Sequence, residues 1–185
     1  MRNLGVAFLV LAGCAHSPSE AGGGGSELAL DSDTQLTLRA GGEELGARVD
    51  ARGVLGPQLQ LQRDGDALRG QAYGGAAHLT FDPRGVRGDA FAQPVELALQ
   101  SGDGQLHLQG QYAGAPSDLR VDGAHLTGTM GACAYELESL GGVGVYRGQR
   151  DCGQGPAEMT LTLPQSWLRQ PVAERAAILA VVLSR

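Results

Sequence analysis

The sequence predicts a mainly β domain, an antiparallel meander of roughly ten to twelve strands that forms a sandwich or a closed or half-closed barrel, with one C-terminal helix packed on it. Three observations carry that prediction. From Glu27 onward apolar residues recur with period two, the mark of half-buried strands. Short turns rich in glycine, aspartate and proline separate these runs, which makes neighbouring strands antiparallel. Near the carboxyl end the period lengthens to about 3.6.

Along the chain, Leu28 and Leu30 alternate with polar or small residues, as do Leu36 and Leu38, Leu59 and Leu61, and Leu79 and Phe81. The pattern continues through Val95, Leu97 and Leu99, then Leu106 and Leu108, and finally Met159, Leu161 and Leu163. Turns are expected at Asp64-Gly65, Gly102-Asp103-Gly104, Asp122-Gly123 and Asp82-Pro83-Arg84-Gly85. In the last of these, proline sets the first turn residue and glycine accepts positive φ. After Thr129 the phase shifts: Leu126, Gly128 and Met130 share a face, whereas Tyr135 and Leu137 fall on the opposite parity. A bulge near Gly131 or Ala132 is therefore expected.

A weak repeat runs through the middle. Ala67-Leu68-Arg69-Gly70, Gly85-Val86-Arg87-Gly88, His107-Leu108-Gln109-Gly110 and His125-Leu126-Thr127-Gly128 each place an apolar residue two before a glycine, and those glycines are 18, 22 and 18 apart. Glycine inside a strand marks a bulge, a barrel corner or a close backbone approach, so the repeat fits a sheet that curves at one height in successive hairpins. Hairpins of similar length in a glycine-rich chain are the plainer account and the preferred one. Such glycine-punctuated strands loosely resemble the β-repeats of periplasmic lipid-transfer proteins, a likeness that transfers no residue.

At the carboxyl end, Gln170-Pro171 makes a helix start, since proline suits the first helical position, and Val172 to Leu183 follows without a breaker. Glu174 and Arg175 are confined to its first turn, and Ile178, Leu179, Val181, Val182 and Leu183 cover nearly every side of the rest. The segment is too short to cross a membrane, which takes roughly 20 residues, so protein must cover it. It is expected to plug the open side of the sheet. A final strand is the alternative, but the alanines favour helix.

The amino terminus carries an address. Arg2 precedes an apolar run from Leu4 to Leu11, the plan of a secretory signal. Leu11-Ala12-Gly13-Cys14 resembles the lipobox of bacterial lipoproteins: a branched apolar residue, two small ones, then cysteine. The resemblance covers only residues 1–14. It implies a signal peptide over 1–13, diacylglycerol attached to the Cys14 sulfur, cleavage before Cys14 and acylation of the new amino terminus. Residues 14–26 then form a lipidated tether, whose 12 residues after Cys14 reach about 20 Å as flexible coil. Residues 27–185 form a single β-rich domain. Ala15 is not the aspartate that retains proteobacterial lipoproteins in the inner membrane, so the resemblance favours the outer membrane.

With Cys14 assigned to lipid by that resemblance, Cys133 and Cys152 remain as an even pair in an oxidising compartment. A disulfide between them is expected, worth roughly 3 kcal/mol by loop-closure entropy. Two free thiols or a redox pair are the alternatives, although a catalytic dithiol usually appears as Cys-x-x-Cys.

All 14 basic residues are arginine, and without Arg2 there remain 13 against 20 carboxylates, a net charge of −7 with neutral histidines. The absence of lysine excludes lysine-based covalent chemistry, and scattered arginines in an acidic chain lack the basic stripe that nucleic acid requires. No nucleophile elbow, zinc-protease helix or phosphate loop occurs. Ser101 and Ser117 lie in turns with no His and Asp pattern around them, and Asp31 with Asp33, or Asp64 with Asp66, lacks the remainder of a calcium loop. His107 and His125 occupy equivalent repeat positions, and with His78 they share parity with polar neighbours, so all three should face away from the leucine core. If a strand around Leu119 to Val121 separates His107 from His125, their backbones stand about 10 Å apart. They are weak metal candidates with no carboxylate evident nearby, and polar residues on a wet sheet face are the preferred reading.

No enzyme activity and no cofactor is expected. The expectation is a lipid-anchored cell-envelope protein with a structural or partner-docking role, its partners the membrane, through the lipid, and an unknown envelope protein. The alternative is a module that binds an apolar ligand such as a lipid between curved sheet and C-terminal helix.

Overall fold

The computed structural model describes residues 33–142 and 144–184. Cys14, the tether, Leu28 and Leu30 lie outside them. Eight strands come first: β1 (Gln35–Ala40), β2 (Glu43–Asp50), β3 (Gly53–Leu55), β4 (Leu59–Asp64), β5 (Ala67–Ala72), β6 (Gly75–Asp82), β7 (Gly85–Ala90) and β8 (Gln93–Gly102). Six more follow: β9 (Gln105–Tyr112), β10 (Ala115–Val121), β11 (His125–Met130), β12 (Cys133–Ser139), β13 (Val145–Asp151) and β14 (Pro156–Thr162). Two helices end the chain, α1 (Gln165–Leu168) and α2 (Val172–Val182).

Every strand pairs antiparallel with the next, and β1 pairs with β14 through Thr37 opposite Thr162 and Leu38 opposite Leu161, so the sheet closes on itself. The architecture is a closed barrel of 14 strands among the described residues, more than the expected ten to twelve. Two strands carry too little apolar alternation to be counted from sequence: β3 has three residues, and β13 places Gly148 and Arg150 on the inward parity of Tyr146. The expected bulge at Gly131 is instead a two-residue hairpin turn, with Met130 directly opposite Cys133 and Gly131 at φ +59°. A reversal of the chain changes the parity as a bulge would.

Inward positions are apolar on strand after strand. Leu36, Leu59, Leu68, Leu79, Leu108, Leu119, Leu126, Leu137 and Leu161 are all fully buried. Outward positions are polar: Gln60 and Gln62 on β4, Glu96 and Gln100 on β8, and Gln105, Gln109 and Gln111 on β9. That is the reverse of the lipid-facing apolar band of a membrane barrel. No described helix is long and apolar enough to cross a membrane.

The leucines meet α2, which lies inside the barrel and not on the sheet or over an open side, as the sequence had suggested. A closed sheet has no open side, and a helix apolar all round is covered only by being surrounded. Nine of its 11 residues are buried, from Ala173 and Glu174 through Ala176 to Val182. Four alanines keep it slim enough for the lumen, and its length of about 16 Å fits within strands of about 20–26 Å. Pro171 starts it and Leu183 ends it, one residue beyond Val182.

The barrel has two rims. At the entry rim lie the turns at 51–52, 65–66, 83–84, 103–104 and 122–124 together with α1, whose Ser166 amide donates to the Asp33 carbonyl at 2.8 Å and whose Ser166 hydroxyl donates to Val49 O at 2.6 Å. The described chain therefore begins and turns inward at the same end. At the far rim the C-terminus of α2 is capped by the wall: Tyr73 donates its phenol to Val182 O, and Tyr135 donates to Leu183 O. Burial pushes the Tyr112 phenol up to about 12, with the Ser184 hydroxyl opposing the shift.

The repeat glycines recur on alternate strands: Gly70 on β5, Gly88 on β7, Gly110 on β9 and Gly128 on β11. Each stands opposite an inward leucine of the preceding strand, Leu61, Leu79, Leu97 and Leu119 respectively. At Gly70 φ is +148°, and a Cβ would lie 1.9 Å from the Gln60 carbonyl oxygen. The spacing thus encodes a close backbone approach repeated around the barrel.

Candidate functional site

The histidines lie outside, as their parity required. His78 accepts a hydrogen bond from Arg69 Nε at 3.1 Å on the β5–β6 face. His107 and His125 line an open groove of about 640 Å³ across β8 to β11, with Gln100, Gln105, Arg120 and Thr127. β10 does run between their strands, but the two are not level. His107 is opposite Arg120, whereas His125 lies level with Asp122, two residues nearer the entry rim.

His107 and His125 each have their own carboxylate, which the sequence reading missed. His107 Nε2 lies 2.8 Å from Asp118 Oδ1, and Gln109 Nε2 donates to Asp118 Oδ2 at 3.4 Å. His125 Nδ1 is 3.7 Å from Asp122 Oδ1, which also accepts the Ala124 and His125 amides, each at 2.7 Å. Those amides, Ala124's first, hold the Asp122 carboxyl below its ordinary value. Cross-strand neighbours such as Asp118 become visible only once register is known. Arg120 stands in the level between the two pairs, its Nε 3.7 Å from Asp118 Oδ1. A guanidinium there opposes a cation, and among the described residues no group of three His, Cys, Asp or Glu lies close enough to hold a metal. The groove presents paired donors and acceptors on a fixed sheet, an arrangement suited to recognition.

The serines fall on strands and not in turns. Ser101 is on β8; Ser117, on β10, is buried and accepts the Gly131 amide at 3.0 Å, tying β10 to the far-rim turn. Asp64 pairs with Arg69 at 3.3 Å on the surface. Cys133 and Cys152 form the expected disulfide, with Cα atoms 4.1 Å apart where β12 begins and β13 has just ended.

Two polar groups in the first turn of α2 have partners that the sequence does not name. Glu174 is fully buried and pairs with Arg63 of β4, Nη1 to Oε2 3.1 Å. Burial pushes its carboxyl above the ordinary value, and Arg63 opposes that. Arg175 lays its guanidinium over the Trp167 ring, 5.2 Å from the centroid. The available signal was a carboxylate and a guanidinium in a helix that had to be covered on every side.

The fold and groove define a class: a helix-filled antiparallel barrel with a polar exterior. Compared with protein-family models, curated protein sequences and solved structures, the chain matches none.

Proposed function

We propose that the chain is a lipid-anchored protein of the cell envelope, held at the outer membrane through Cys14, whose barrel is a non-enzymatic docking module. One observation carries the docking part: α2 fills the lumen, so the binding capacity lies on the outer surface and the rims. The polar groove around His107, Arg120 and His125 is its recognition face. The anchor rests on the lipobox resemblance of Leu11 to Cys14. The filled interior weighs against an apolar ligand held between sheet and helix, because leucines and α2 side chains occupy that space.

Anchor and docking are tested separately. Cys14→Ser should leave an unprocessed or soluble precursor; recovery of the variant in the membrane fraction at mature mass would refute the anchor. A photo-crosslinking side chain at Thr127, in the groove, should give a discrete adduct in intact cells, and the same group at Gln62, on another wall, should not. Equal labelling from both walls would refute the groove as the docking face.

A further inference from the structure

At the entry rim a smaller cavity of about 270 Å³ opens between the mouth of the barrel, α1 and the first turn of α2. Its apolar wall is Leu106, Val121, Trp167 and Leu168, and its cation is Arg175. Three observations make it a built site. Trp167 is 3% exposed and fixed at both ends, its amide donating to Pro164 O at 3.0 Å and its indole Nε1 to Arg175 O at 3.3 Å. The Arg175 guanidinium lies over that ring, its Nε buried without a hydrogen-bond partner among the described residues. It also has no described carboxylate, because Glu174, its neighbour in sequence, pairs with Arg63. The one acid in the wall, Asp122, turns Oδ1 to the Ala124 and His125 amides of its own loop.

Arg175 as a whole is partly buried; a partly desolvated cation without a counter-ion loses some hydration, and a charge-assisted, bidentate partner restores it. We propose that this cavity binds a small organic carboxylate, whose charge pairs with Arg175 while its apolar body lies against Trp167, Leu168, Leu106 and Val121. At about 270 Å³ it falls just below the usual range of drug-sized ligand cavities, about 300 to 1,000 Å³. That size suits a medium-length acyl or single-ring acid, not a whole phospholipid. The site goes beyond the docking role and does not depend on the lipid anchor.

Trp167 is the chain's single tryptophan, so its fluorescence reports occupancy directly. The purified full chain is titrated with octanoate, octanol and inorganic phosphate. Octanoate should give a saturable change in Trp167 emission and bind at least about tenfold more tightly than either control. Arg175→Gln should remove that preference. Because Arg175→Gln also disturbs the stacking, Gly142→Asp serves as a second variant. Gly142 lines the mouth, and among the described residues beyond its chain neighbours a Cβ there meets nothing nearer than Val145 Cγ2 at 3.8 Å. The new carboxylate should weaken octanoate and leave octanol unchanged, with the cooperative melt preserved. Equal response to octanoate and octanol would overturn the assignment of Arg175 as the anion partner. Phosphate binding as tight as octanoate would overturn the apolar half, and no response to any probe would overturn the site.

Discussion

Tyr73 donates its phenolic hydrogen to the main-chain carbonyl of Val182 at 2.8 Å, joining β-wall to helix across 109 residues of sequence. Tyr135 makes the corresponding bond to Leu183 O. The last carbonyls of a helix have no partner within it, and inside a barrel water does not reach them. Tyr73→Phe and Tyr135→Phe should each cost about 1–3 kcal/mol. The larger loss belongs to Tyr135, which is 4% exposed where Tyr73 is half-buried. Denaturant melts of the two variants check this, and an unchanged midpoint for Tyr135→Phe would remove the wall cap from the account.

Two buried phenols, Tyr112 and Tyr135, set an alkaline limit. Burial raises Tyr112 to about 12 and raises Tyr135 as well. Raised folded values mean that their stabilisation is complete below the unfolded value near 10 and is lost as pH climbs through the folded ones. Stability should therefore fall between about pH 10 and 12, by about 1.4 kcal/mol per pH unit for each such phenol. Absorbance at the tyrosinate band should rise for these two only with loss of the native circular-dichroism signal.

Glu174 titrates with the same sign. Its carboxyl is raised above 4.5, so its contribution is fully present below the unfolded value and is lost as pH rises through the folded one. Removing Arg63 leaves the carboxylate without its cation. Arg63→Gln should cost about 2–3 kcal/mol at pH 8, less than a fully buried pair because Arg63 is partly exposed. Part of that loss should return on acidification toward pH 4.5. Adding Glu174→Gln should abolish the pH-dependent part. Melts of both variants at pH 5 and 8 check this, and identical pH profiles would contradict it.

Gly70→Ala and Gly128→Ala should each destabilise by about 2–4 kcal/mol. Both have left-handed φ, and in each the added methyl would stand 1.9 Å from a neighbouring strand's carbonyl oxygen, that of Gln60 or Asp118. Gly123→Ala is the control: among the described residues nothing beyond its chain neighbours lies within 4 Å of its Cβ, and φ is not left-handed, so it should fall within about 0.5 kcal/mol of the parent. Thermal melts of all three separate wall curvature from general glycine loss.

Much of this fold was legible because its signals are local. Alternation at Val95, Leu97 and Leu99 identifies a strand and its inner face from five residues, and Pro171 with the change of period marks α2. Closure was not legible, since it depends on β1 meeting β14, and nothing near Thr37 names Thr162 as its partner. The same holds for the candidate site. Parity sends His107 and His125 outward, but Asp118 joins His107 only through the register of β9 with β10. Glu174 could not be matched to Arg63, because a buried pair drawn from a helix and a distant strand leaves no periodic trace in either.

The helix inside the barrel also sets an order of assembly. α2 follows β14 in the chain, so the segment around which the strands close is synthesised after all of them. Until it arrives, the leucines of β1 to β14 line a concave wall wetted by solvent. Early sealing of β1 to β14 would shut the helix out. Seam and plug must therefore come together late, in one long-range step, which makes folding slow and leaves the waiting intermediate prone to aggregation. A chain halted before Pro171 would be a vessel without contents, and a natural client for a holding chaperone.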